Sequence, residues 1–344
     1  MSLLDTLVRR GAALTTPFLP DDYLALVDPL WSTRELRGRV ERIQPEAGGA
    51  ATLTLRTGRG WTTHTAGQWV GLGVELDGVR HWRSYSLTGP VRPDRRITVT
   101  VKAMGRVSDQ LVHRTVAGTL VRLRPPAGEF VLSTTPTRPS LFLTAGSGVT
   151  PVMGMLRARR TTSAVHVHSA PTAADVIFGA ELRGYGHRFL ERHTGADGRL
   201  RMAELDGLVP DWRHRETWAC GPAGLLDAAE RHWSDAGLAH LLHVERFTPA
   251  TYADPGATGG VATYTRSGRT TDTTTAPATT LLDAGEAAGV LMPSGCRMGI
   301  CLGCVVPLLS GQVRDQRSGV VHGEPGDLIQ TCISSPAGPC ALDV

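Results

Sequence analysis

Hydrophobic and polar positions alternate in a series of short runs along residues 36–137, and Gly, Pro and Asp separate the runs. Alternation with a period of two is typical of half-buried strands, and many short strands at this spacing favour a small closed sheet. We expect strands in LRGRVERI, ATLTLR, QWVGLGVEL, RSYSL, RRITVTVKA and TLVRLR. The pattern therefore predicts an antiparallel β-barrel over residues 36–137.

The pattern changes over residues 138–247, where continuous apolar runs alternate with stretches of helical spacing. We expect strands in LFLTAG, SAVHVHSA, HRFLERH, ETWACG and HLLHVERF, and helices in VTPVMGMLRARR, ADVIFGAELR and GPAGLLDAAERHWSDAG. Strands that alternate with helices indicate a parallel sheet covered on both faces. Residues 138–247 are therefore predicted to form an α/β domain.

The N-terminal and C-terminal parts of the chain have hydrophobic patterns that differ from those of the two central regions. Residues 1–35 form an N-terminal extension with Leu3, Leu4, Leu7 and Val8 at helical spacing, which predicts a short helix that packs on its own domain or docks on a membrane or partner. Residues 248–260 are rich in Pro, Gly and Ala and are predicted to be a linker. Residues 261–344 then predict a hairpin turning at Ser267-Gly268, a helix in TLLDAGEAAGV and a cysteine-containing loop.

Composition narrows the functional class. The chain has 344 residues, 41% hydrophobic and 20% charged, with a net charge of +4, so it is predicted to be globular and to have several domains. The sequence has no apolar run of the ~18 residues that a transmembrane helix requires. It also lacks the dense basic run that is typical of nucleic-acid-binding proteins. The first residues lack the pattern of a secretory signal, so we expect a cytoplasmic protein, with or without peripheral contact at the inner face of the membrane.

Five of the six cysteines lie near the C-terminus, and four of them follow a specific spacing. Cys296, Cys301 and Cys304 form C-x4-C-x2-C, and Cys332 follows after 27 intervening residues. This is the plant-type pattern for a [2Fe–2S] cluster, in which four thiolates surround two irons. A structural zinc site is the alternative, although zinc modules usually pair two C-x2-C knuckles. The segment resembles plant-type ferredoxins, which implies an α+β β-grasp fold; Cys340 lies outside the pattern.

A second motif stands on a predicted barrel strand. Arg83-Ser84-Tyr85-Ser86 resembles the flavin motif of the ferredoxin–NADP reductase family. In that family the aromatic ring stacks on the isoalloxazine, the arginine pairs with phosphate and the serine hydrogen-bonds near the reactive flavin nitrogen. The alternative is an exposed strand with a core tyrosine.

The same resemblance implies a pyrophosphate site further along the barrel. It involves Val101-Lys102 and the segment Gly105-Arg106-Val107-Ser108, which is predicted to open a helix. Arg106 stands where the family often has a second glycine. A second phosphate to be held favours FAD over FMN, which some reductases of this type carry.

Two turns in the predicted α/β domain resemble the nicotinamide motifs of the same family. The segment Gly146-Ser147-Gly148, followed by Thr150 and Pro151, joins a strand to a helix and would let the pyrophosphate approach closely. Cys220-Gly221-Pro222 lies at another strand end, and the resemblance places the cysteine near nicotinamide C4. Its alternative is a buried cysteine before a turn.

Glu245 is a candidate to approach the flavin, because related reductases have an acidic residue near this point; its alternative is a surface charge at a strand end. The choice between NADH and NADPH stays open. A reader of the 2′-phosphate is usually an arginine soon after the second strand, and this stretch offers only Ser169, with Arg183 further on. His166 and His168 alternate on that strand, and we do not expect them to bind metal.

The order of the modules predicts the activity. NAD(P)H gives up two electrons together as a hydride, whereas a [2Fe–2S] cluster accepts one electron at a time. A flavin is therefore needed to accept the pair and to pass the electrons on singly. The chain is thus predicted to be an NAD(P)H oxidoreductase, with Tyr85, Ser86, Cys220 and Glu245 as the catalytic candidates.

The acceptor is predicted from resemblance alone. Leu19–Leu24, Asp28–Ser32 and Val176–Leu182 resemble actinobacterial NADPH oxidoreductases that supply electrons to membrane acyl-CoA desaturases of the stearoyl type. The alternatives are a reductase for a Rieske oxygenase or a cytochrome P450, and a redox sensor that binds the cofactors without turnover.

Overall fold

The computed structural model describes residues 20–76, 78–133, 137–159, 163–247, 259–299 and 302–344. The chain divides into two compact units. The larger unit contains residues up to 80 and residues 84–245, and the smaller contains residues 81–83 and 246–344. The helical pattern predicted at Leu3–Val8 and nearly all of the predicted linker lie outside the described residues.

The first sheet is antiparallel and closes into a barrel. Its six strands lie in the order β4-β3-β6-β1-β2-β5, and Leu87 bridges antiparallel to Val99, which joins β4 to β5. Alternate residues of each strand point inward and bury an aliphatic core. The strands are β1 Arg37–Glu46, β2 Ala50–Thr57, β3 Trp69–Leu76, β4 Val79–Ser86, β5 Arg96–Lys102 and β6 Leu120–Leu123.

Short helical segments border the barrel. Helix α1, Pro20–Val27, precedes it, and the buried carboxylate of Asp21 accepts hydrogen bonds from the Ser32 hydroxyl and the Thr33 backbone N–H. Helix α2, Arg106–Asp109, continues directly into a π-helical turn at Gln110–Arg114.

The second sheet is parallel, in the order β11-β10-β7-β8-β9. Apolar side chains are buried on both of its faces, as expected for a sheet covered by helices. The strands are β7 Ser140–Ala145, β8 Val165–Ala170, β9 Arg188–His193, β10 Glu216–Cys220 and β11 Leu242–Glu245. The helices are α3 Val149–Ala158, α4 Gly179–Arg183, α5 Thr194–Asp197, α6 Leu205–Leu208 and α7 Ala223–Asp235.

One helix of the α/β domain is much shorter than predicted. The run ADVIFGAELR was expected to be helical throughout, but only Gly179–Arg183 is an α-helix. Phe178 has a left-handed backbone (φ 61°), and Val176 and Ile177 are buried in the core. The apolar spacing of this run therefore reflects an irregular buried segment that ends in a single helical turn.

The smaller unit contains a mixed sheet in the order β13-β12-β17-β14-β15, and β16 pairs with β14. Strands β12 and β13 form a hairpin that turns at Ser267 and Gly268, as predicted. Helix α8, Leu281–Ala287, is tied to the sheet because the Tyr264 hydroxyl donates to the Leu281 carbonyl over 2.8 Å. The strands are β12 Gly260–Arg266, β13 Arg269–Thr275, β14 Val305–Asp315, β15 Val321–His322, β16 Leu328–Gln330 and β17 Ser334–Asp343.

The expected fold class is confirmed: the antiparallel barrel and the parallel α/β sheet predicted from the pattern, and the C-terminal α+β fold implied by the resemblance to ferredoxins. Among the described residues, no helix combines the length and the apolar character that crossing a bilayer requires.

Candidate functional site

The turn after β7 lies directly against the end of β10. Gly146 has a left-handed backbone (φ 53°), and a Cβ on Gly148 would lie only 2.1 Å from the Cys220 carbonyl oxygen. The Thr150 hydroxyl donates to the Ser147 carbonyl over 2.9 Å, which holds the turn together. Two motifs that are far apart in the sequence thus meet at one edge of the sheet, and glycine is required where they touch.

Cys220 and Glu245 are neighbours at the same edge, since β10 and β11 pair in parallel with these two residues in register. The Cys220 side chain is fully buried, and Glu245 is 9% exposed with no hydrogen-bond partner at Oε2. Burial raises the pKa of Glu245 to about 8. Burial, together with Glu245, raises the pKa of Cys220. The alternative interpretation of Glu245 as a surface charge is therefore wrong.

The predicted flavin strand ends at another buried polar atom. Ser86 is 3% exposed, and its Oγ has no hydrogen-bond partner. The neighbouring Tyr85 is half-buried and packs on the barrel core, while an Arg83 guanidinium nitrogen donates to the Trp82 carbonyl over 2.8 Å. Ser84 lies between them on β4 and is half-buried.

Helix α3 connects the flavin strand to the nucleotide turn. It begins at Val149, next to the turn, and a Cβ on Gly154 in its middle would lie 2.2 Å from the Leu87 carbonyl oxygen. Further along, an Arg157 guanidinium nitrogen donates to the Thr88 carbonyl over 2.8 Å. The residues that follow Ser86 therefore pack against the helix that the nucleotide turn begins.

These positions fit a bound flavin and nicotinamide. Buried polar atoms without partners are rare in native proteins, and each calls for an explanation. Ser86 Oγ and Glu245 Oε2 are both of this kind. Ligands that hydrogen-bond along the edges of their rings, as an isoalloxazine and a nicotinamide do, would supply the partners that the described residues do not.

The residues that were predicted to bind the pyrophosphate differ in how far their side chains are exposed. The side chains of Val101 and Val107 are buried in the barrel core, so only their backbone groups could face a ligand. The Ser108 hydroxyl accepts from the Gly105 N–H over 3.0 Å and donates to the Gly105 carbonyl over 2.9 Å, which shapes the turn. The remaining candidates, Lys102 and Arg106, are half-buried and exposed respectively, and their phosphate roles stay predictions.

A cavity of about 350 Å³ lies at the carboxyl ends of the parallel strands. The predicted residues Gly146, Ser169 and Pro222 line it, and Gly221 lies beside Ala145, which also lines it. The carboxyl ends of parallel strands are the usual place for a nucleotide. Pro151, by contrast, is buried within α3.

Two cavity residues, Thr194 and Arg199, were missed at the level of the sequence. Both follow β9, since Thr194 begins α5 and Arg199 lies in the loop after that helix, and no recognised motif covers either residue. The signal that could have found them is topological, because β9 lies next to β8 in the sheet and its carboxyl end opens on the same crevice.

The cysteine loop of the smaller unit buries three predicted ligands, with Cys296 8%, Cys304 2% and Cys332 4% exposed. Cys304 precedes β14 and Cys332 follows β16, and these strands pair antiparallel. The Thr331 hydroxyl also donates to the Cys304 carbonyl over 2.8 Å. A hydrogen bond with Cys304 and burial raise the pKa of Cys332, so these thiols are close neighbours.

The backbone of the loop is held in an unusual conformation. Arg297, Gly299 and Leu302 all have left-handed φ values, of 59°, 73° and 55°. The Arg297 guanidinium forms ion pairs with Asp283, at 2.7 Å, and with Glu286, which attach the loop to α8. The Met298 N–H donates to Cys296 Sγ over 3.4 Å. Such N–H···S contacts suit a loop that wraps thiolates.

Cys301 lies outside the described residues. Without it, the described part of the chain contains no group of three or more His, Cys, Asp or Glu arranged around a single ion. A two-iron cluster spreads its four thiolates over two metals. The buried sulfur donors and the tight loop fit that group, and the full ligand set of Cys296, Cys301, Cys304 and Cys332 stays a prediction.

Comparisons with known proteins agree with this geometry. Residues 265–337 match the family model described as "2Fe-2S iron-sulfur cluster binding domain". An NADPH oxidoreductase of Mycobacterium tuberculosis is 50% identical over an alignment of 349 positions, gaps included. The alignment covers 97% of this chain and 91% of that protein. The glycine betaine monooxygenase reductase subunit of Pseudomonas aeruginosa is 29% identical, with coverage of 80% and 86%.

A solved structure contains the same folds. The solved structure of phthalate dioxygenase reductase, described as modular for electron transfer from pyridine nucleotides to [2Fe–2S], superposes with a TM-score of 0.65. The superposed region covers 90% of this chain and 97% of phthalate dioxygenase reductase, at 21% sequence identity. At that identity the likeness establishes the fold.

Proposed function

Because the chain belongs to the family of NAD(P)H oxidoreductases that join a ferredoxin–NADP reductase-like module to a [2Fe–2S] domain, we propose that it passes electrons from NADPH to a membrane acyl-CoA desaturase. The cofactors are FAD, the [2Fe–2S] cluster and the nicotinamide nucleotide. Their combined chemistry accepts a pair of electrons as hydride and releases them singly.

The observation that carries the electron-entry half is the meeting of the motifs in the larger unit. The nucleotide turn at Gly148 touches Cys220, Glu245 lies beside Cys220, and α3 leads from this turn to the residues that follow Ser86. The glycine turn would allow a nucleotide to approach the sheet edge. The buried Ser86 hydroxyl and Glu245 carboxyl would orient the reacting rings by hydrogen bonds, and Cys220 would pack against them.

The proposal for the donor and acceptor rests on resemblance. A relative that covers almost the whole chain is named NADPH oxidoreductase, which supports NADPH. The N-terminal stretches Leu19–Leu24 and Asp28–Ser32 support a desaturase as the acceptor. Helix α1 exposes Leu26 and Val27 (82% and 73%), which supports peripheral contact with the membrane where such an acceptor lies.

The test measures acceptor-dependent turnover. The purified holoprotein is combined with NADPH, stearoyl-CoA and membranes that contain an acyl-CoA desaturase, and the unsaturated product is quantified. We expect product only when all components are present. Membranes that contain an inactive desaturase serve as the control. No stimulation by an active desaturase would contradict the assignment of the acceptor.

A second candidate is a reductase for a Rieske oxygenase, which the Pseudomonas aeruginosa relative favours by its name. The same assay with a purified Rieske oxygenase, or with a cytochrome P450, separates these acceptors. A redox sensor would reduce ferricyanide slowly with any donor, so rapid steady-state reduction of ferricyanide excludes that alternative.

A further inference from the structure

We propose that Arg157 is a positioning residue for hydride transfer, because it fixes the end of the flavin strand relative to the nucleotide turn. The inference rests on the proposed function and deepens it. In the reaction a hydride moves from nicotinamide C4 to the flavin, so NADPH is oxidised to NADP⁺ and the flavin is reduced by two electrons. The reacting atoms of such a step must be held about 3–3.5 Å apart, so a small misplacement slows it strongly.

All three nitrogens of the Arg157 guanidinium form hydrogen bonds, and they bind two different domains of the larger unit. Nε and Nη2 donate to the two carboxylate oxygens of Glu181, over 2.9 and 2.6 Å. Nη1 donates to the Thr88 carbonyl over 2.8 Å. Thr88 follows the flavin strand of the barrel, whereas Glu181 lies in helix α4 of the α/β domain. A lysine ammonium lacks the planar fork that makes these contacts together.

The Thr88 carbonyl is a firmly held anchor on the barrel. Thr88 is fully buried, and its backbone N–H donates to the Thr98 carbonyl of β5 over 2.9 Å. Ser86, whose buried hydroxyl would orient the flavin, lies two residues earlier on the same stretch of chain. A displacement of the Thr88 carbonyl would therefore also move the Ser86 hydroxyl.

Helix α3 presents Arg157 on the face that meets the barrel. Arg157 lies three residues after Gly154, so both lie on one face of the helix. The close contact of Gly154 with the Leu87 carbonyl sets how near α3 can come to the barrel. The hydrogen bond from Arg157 keeps the helix from moving away. Because α3 begins directly after the nucleotide turn, the two contacts together fix that turn relative to the flavin strand.

The segment that leads to Glu181 is strained and also contacts the barrel. Phe178 has a left-handed φ of 61°, and the Arg157 guanidinium lies over its ring, 4.8 Å from the centroid. A Cβ on Gly48, which joins β1 to β2, would lie 2.8 Å from the Asp175 carbonyl oxygen. Strained residues persist where the surroundings fix them, and they cluster at functional sites. Arg157 is the side chain that links this segment to the flavin strand.

The experiment compares Arg157→Met with Arg215→Met in the purified holoprotein. Methionine keeps an apolar side chain at each position and removes the hydrogen-bond donors. Arg215 is the matched control, because its guanidinium also forms a bidentate pair with a carboxylate, that of Asp211, and donates to the Ser140 carbonyl over 3.1 Å. All of these partners lie within the α/β domain, and Ser140 is at the opposite end of β7 from the nucleotide turn.

Flavin reduction by NADPH is followed by anaerobic stopped-flow absorbance over a range of NADPH concentrations. We expect Arg157→Met to lower the limiting rate by about 10- to 100-fold and to leave the apparent dissociation constant of NADPH nearly unchanged. Arg215→Met should keep the limiting rate of the wild type. Glu181→Ala should slow the step as well, and adding it to Arg157→Met should have little further effect, as expected for residues that act through one contact.

A titration of the oxidised holoprotein with NADP⁺ gives a readout without turnover. Contact between the nicotinamide and the flavin perturbs the flavin absorbance bands, and we expect a smaller perturbation in Arg157→Met than in the wild type or Arg215→Met. An unchanged limiting rate in Arg157→Met, or an equal loss in Arg215→Met, would overturn the inference. Glu181→Ala decides in the same way if Arg157→Met does not fold. A wild-type flavin that NADPH does not reduce would instead contradict the proposed function.

Discussion

Glu245 carries a carboxyl group that is kept away from water without a compensating hydrogen bond at Oε2. Such a group is held in its neutral form, and burial raises its pKa to about 8. A neutral carboxyl can donate a hydrogen bond, which an ionised one cannot. Perturbed titratable groups cluster at functional sites, and Glu245 has this character beside Cys220.

Glu245→Gln should change how stability depends on pH. The pKa of Glu245 is about 8 in the folded chain, against an ordinary value of 4.5. Between these two pH values the unfolded chain releases a proton that the folded chain keeps, so stability falls as pH rises, by roughly 1.4 kcal/mol per pH unit at most. The glutamine variant lacks this loss, so its Tm should fall less than that of the wild type between pH 6 and pH 8.

Tryptophan fluorescence is a suitable probe for this measurement, because six of the seven tryptophans lie in the larger unit and only Trp82 lies in the smaller. The signal therefore reports mainly on the larger unit. Superimposable Tm profiles for the wild type and the variant would show that the Glu245 carboxyl does not titrate in this range.

The motifs that could be predicted from the sequence are those whose spacing is fixed by local chemistry. The glycine turn at Gly146–Gly148 and the C-x4-C-x2-C loop are of this type, because a turn or a cluster needs particular residues a few positions apart. Arg199 could not be predicted in this way. Its position depends on which strands are neighbours in the sheet, and on how Arg192 holds the preceding turn.

Helix α3 is the element that positions the nucleotide turn against the barrel. Its Gly154 lies so close to the Leu87 carbonyl that no other residue fits without a shift of the backbone. Gly154→Ala should therefore destabilise the larger unit by about 1–3 kcal/mol and lower its flavin content, because an added methyl group pushes the helix away from β4. Thermal unfolding and the flavin-to-protein absorbance ratio measure both effects.

Gly207→Ala is the matched control. Gly207 lies in helix α6, where an added Cβ would meet nothing within 4 Å. Alanine should be neutral there or stabilise by up to about 1 kcal/mol. Equal behaviour of the two variants would mean that the contact between α3 and β4 is not tight.

Strand β8 buries a cluster of imidazoles. The Thr144 hydroxyl oxygen lies 2.7 Å from both His166 Nε2 and His168 Nδ1, and the His187 ring stacks on His166 with centroids 5.8 Å apart. Burial lowers the pKa of all three histidines, that of His168 to about 4. The folded chain keeps these rings neutral, and we find no metal site among them in the described residues.

The larger unit should therefore lose stability in acid. Below pH 6.5 the unfolded chain takes up protons that the folded chain refuses, so stability falls as pH falls from about 6.5 toward 4. His187→Phe replaces one of these imidazoles by a phenyl ring that does not titrate. The phenyl ring should keep the aromatic contacts that His187 makes with Tyr185 and Phe189. We expect a smaller drop in Tm between pH 7 and pH 5 for this variant than for the wild type.

The exposed His214→Phe serves as the control and should leave the drop in Tm unchanged. An identical drop in the wild type and in His187→Phe would rule out a contribution from this ring. Below about pH 6.5 the loss from the three histidines outweighs the opposite effect of Glu245, and above it the loss from Glu245 continues toward pH 8, so the two groups together predict an optimum of stability near neutral pH.

The strands of the barrel and of the parallel sheet were predicted well, because each has a clear period or a continuous apolar run. In the third sheet only the β12–β13 hairpin was predicted, and strands β14 to β17 were not. The helix predicted in ADVIFGAELR was mostly wrong because its apolar residues at helical spacing are buried by an irregular chain path around Phe178. Spacing alone cannot distinguish a helix from an irregular segment that is buried on one side.

The division of the chain into separate folds predicts separable activities. Cys304→Ser should remove the iron–sulfur cluster, because it takes away one of its four predicted thiolates, and should abolish transfer to a protein acceptor. Direct reduction of ferricyanide by NADPH should remain largely intact, since the nucleotide motifs and residues 84–86 of the flavin motif lie in the larger unit.

Cys340→Ser is the appropriate control, because Cys340 is a buried thiol outside the cluster motif. That variant should retain iron and activity. If Cys304→Ser lost ferricyanide reduction as completely as acceptor reduction, the two units would not function independently.

The most direct test of the central claim is an anaerobic titration of the purified protein with NADPH, followed by visible absorbance and accompanied by metal and flavin analysis. The account predicts about two iron atoms and about one FAD per chain, with bleaching of both flavin and cluster bands as NADPH is added. Zinc in place of iron, the absence of a bound flavin, or cluster bands that NADPH does not bleach would contradict it.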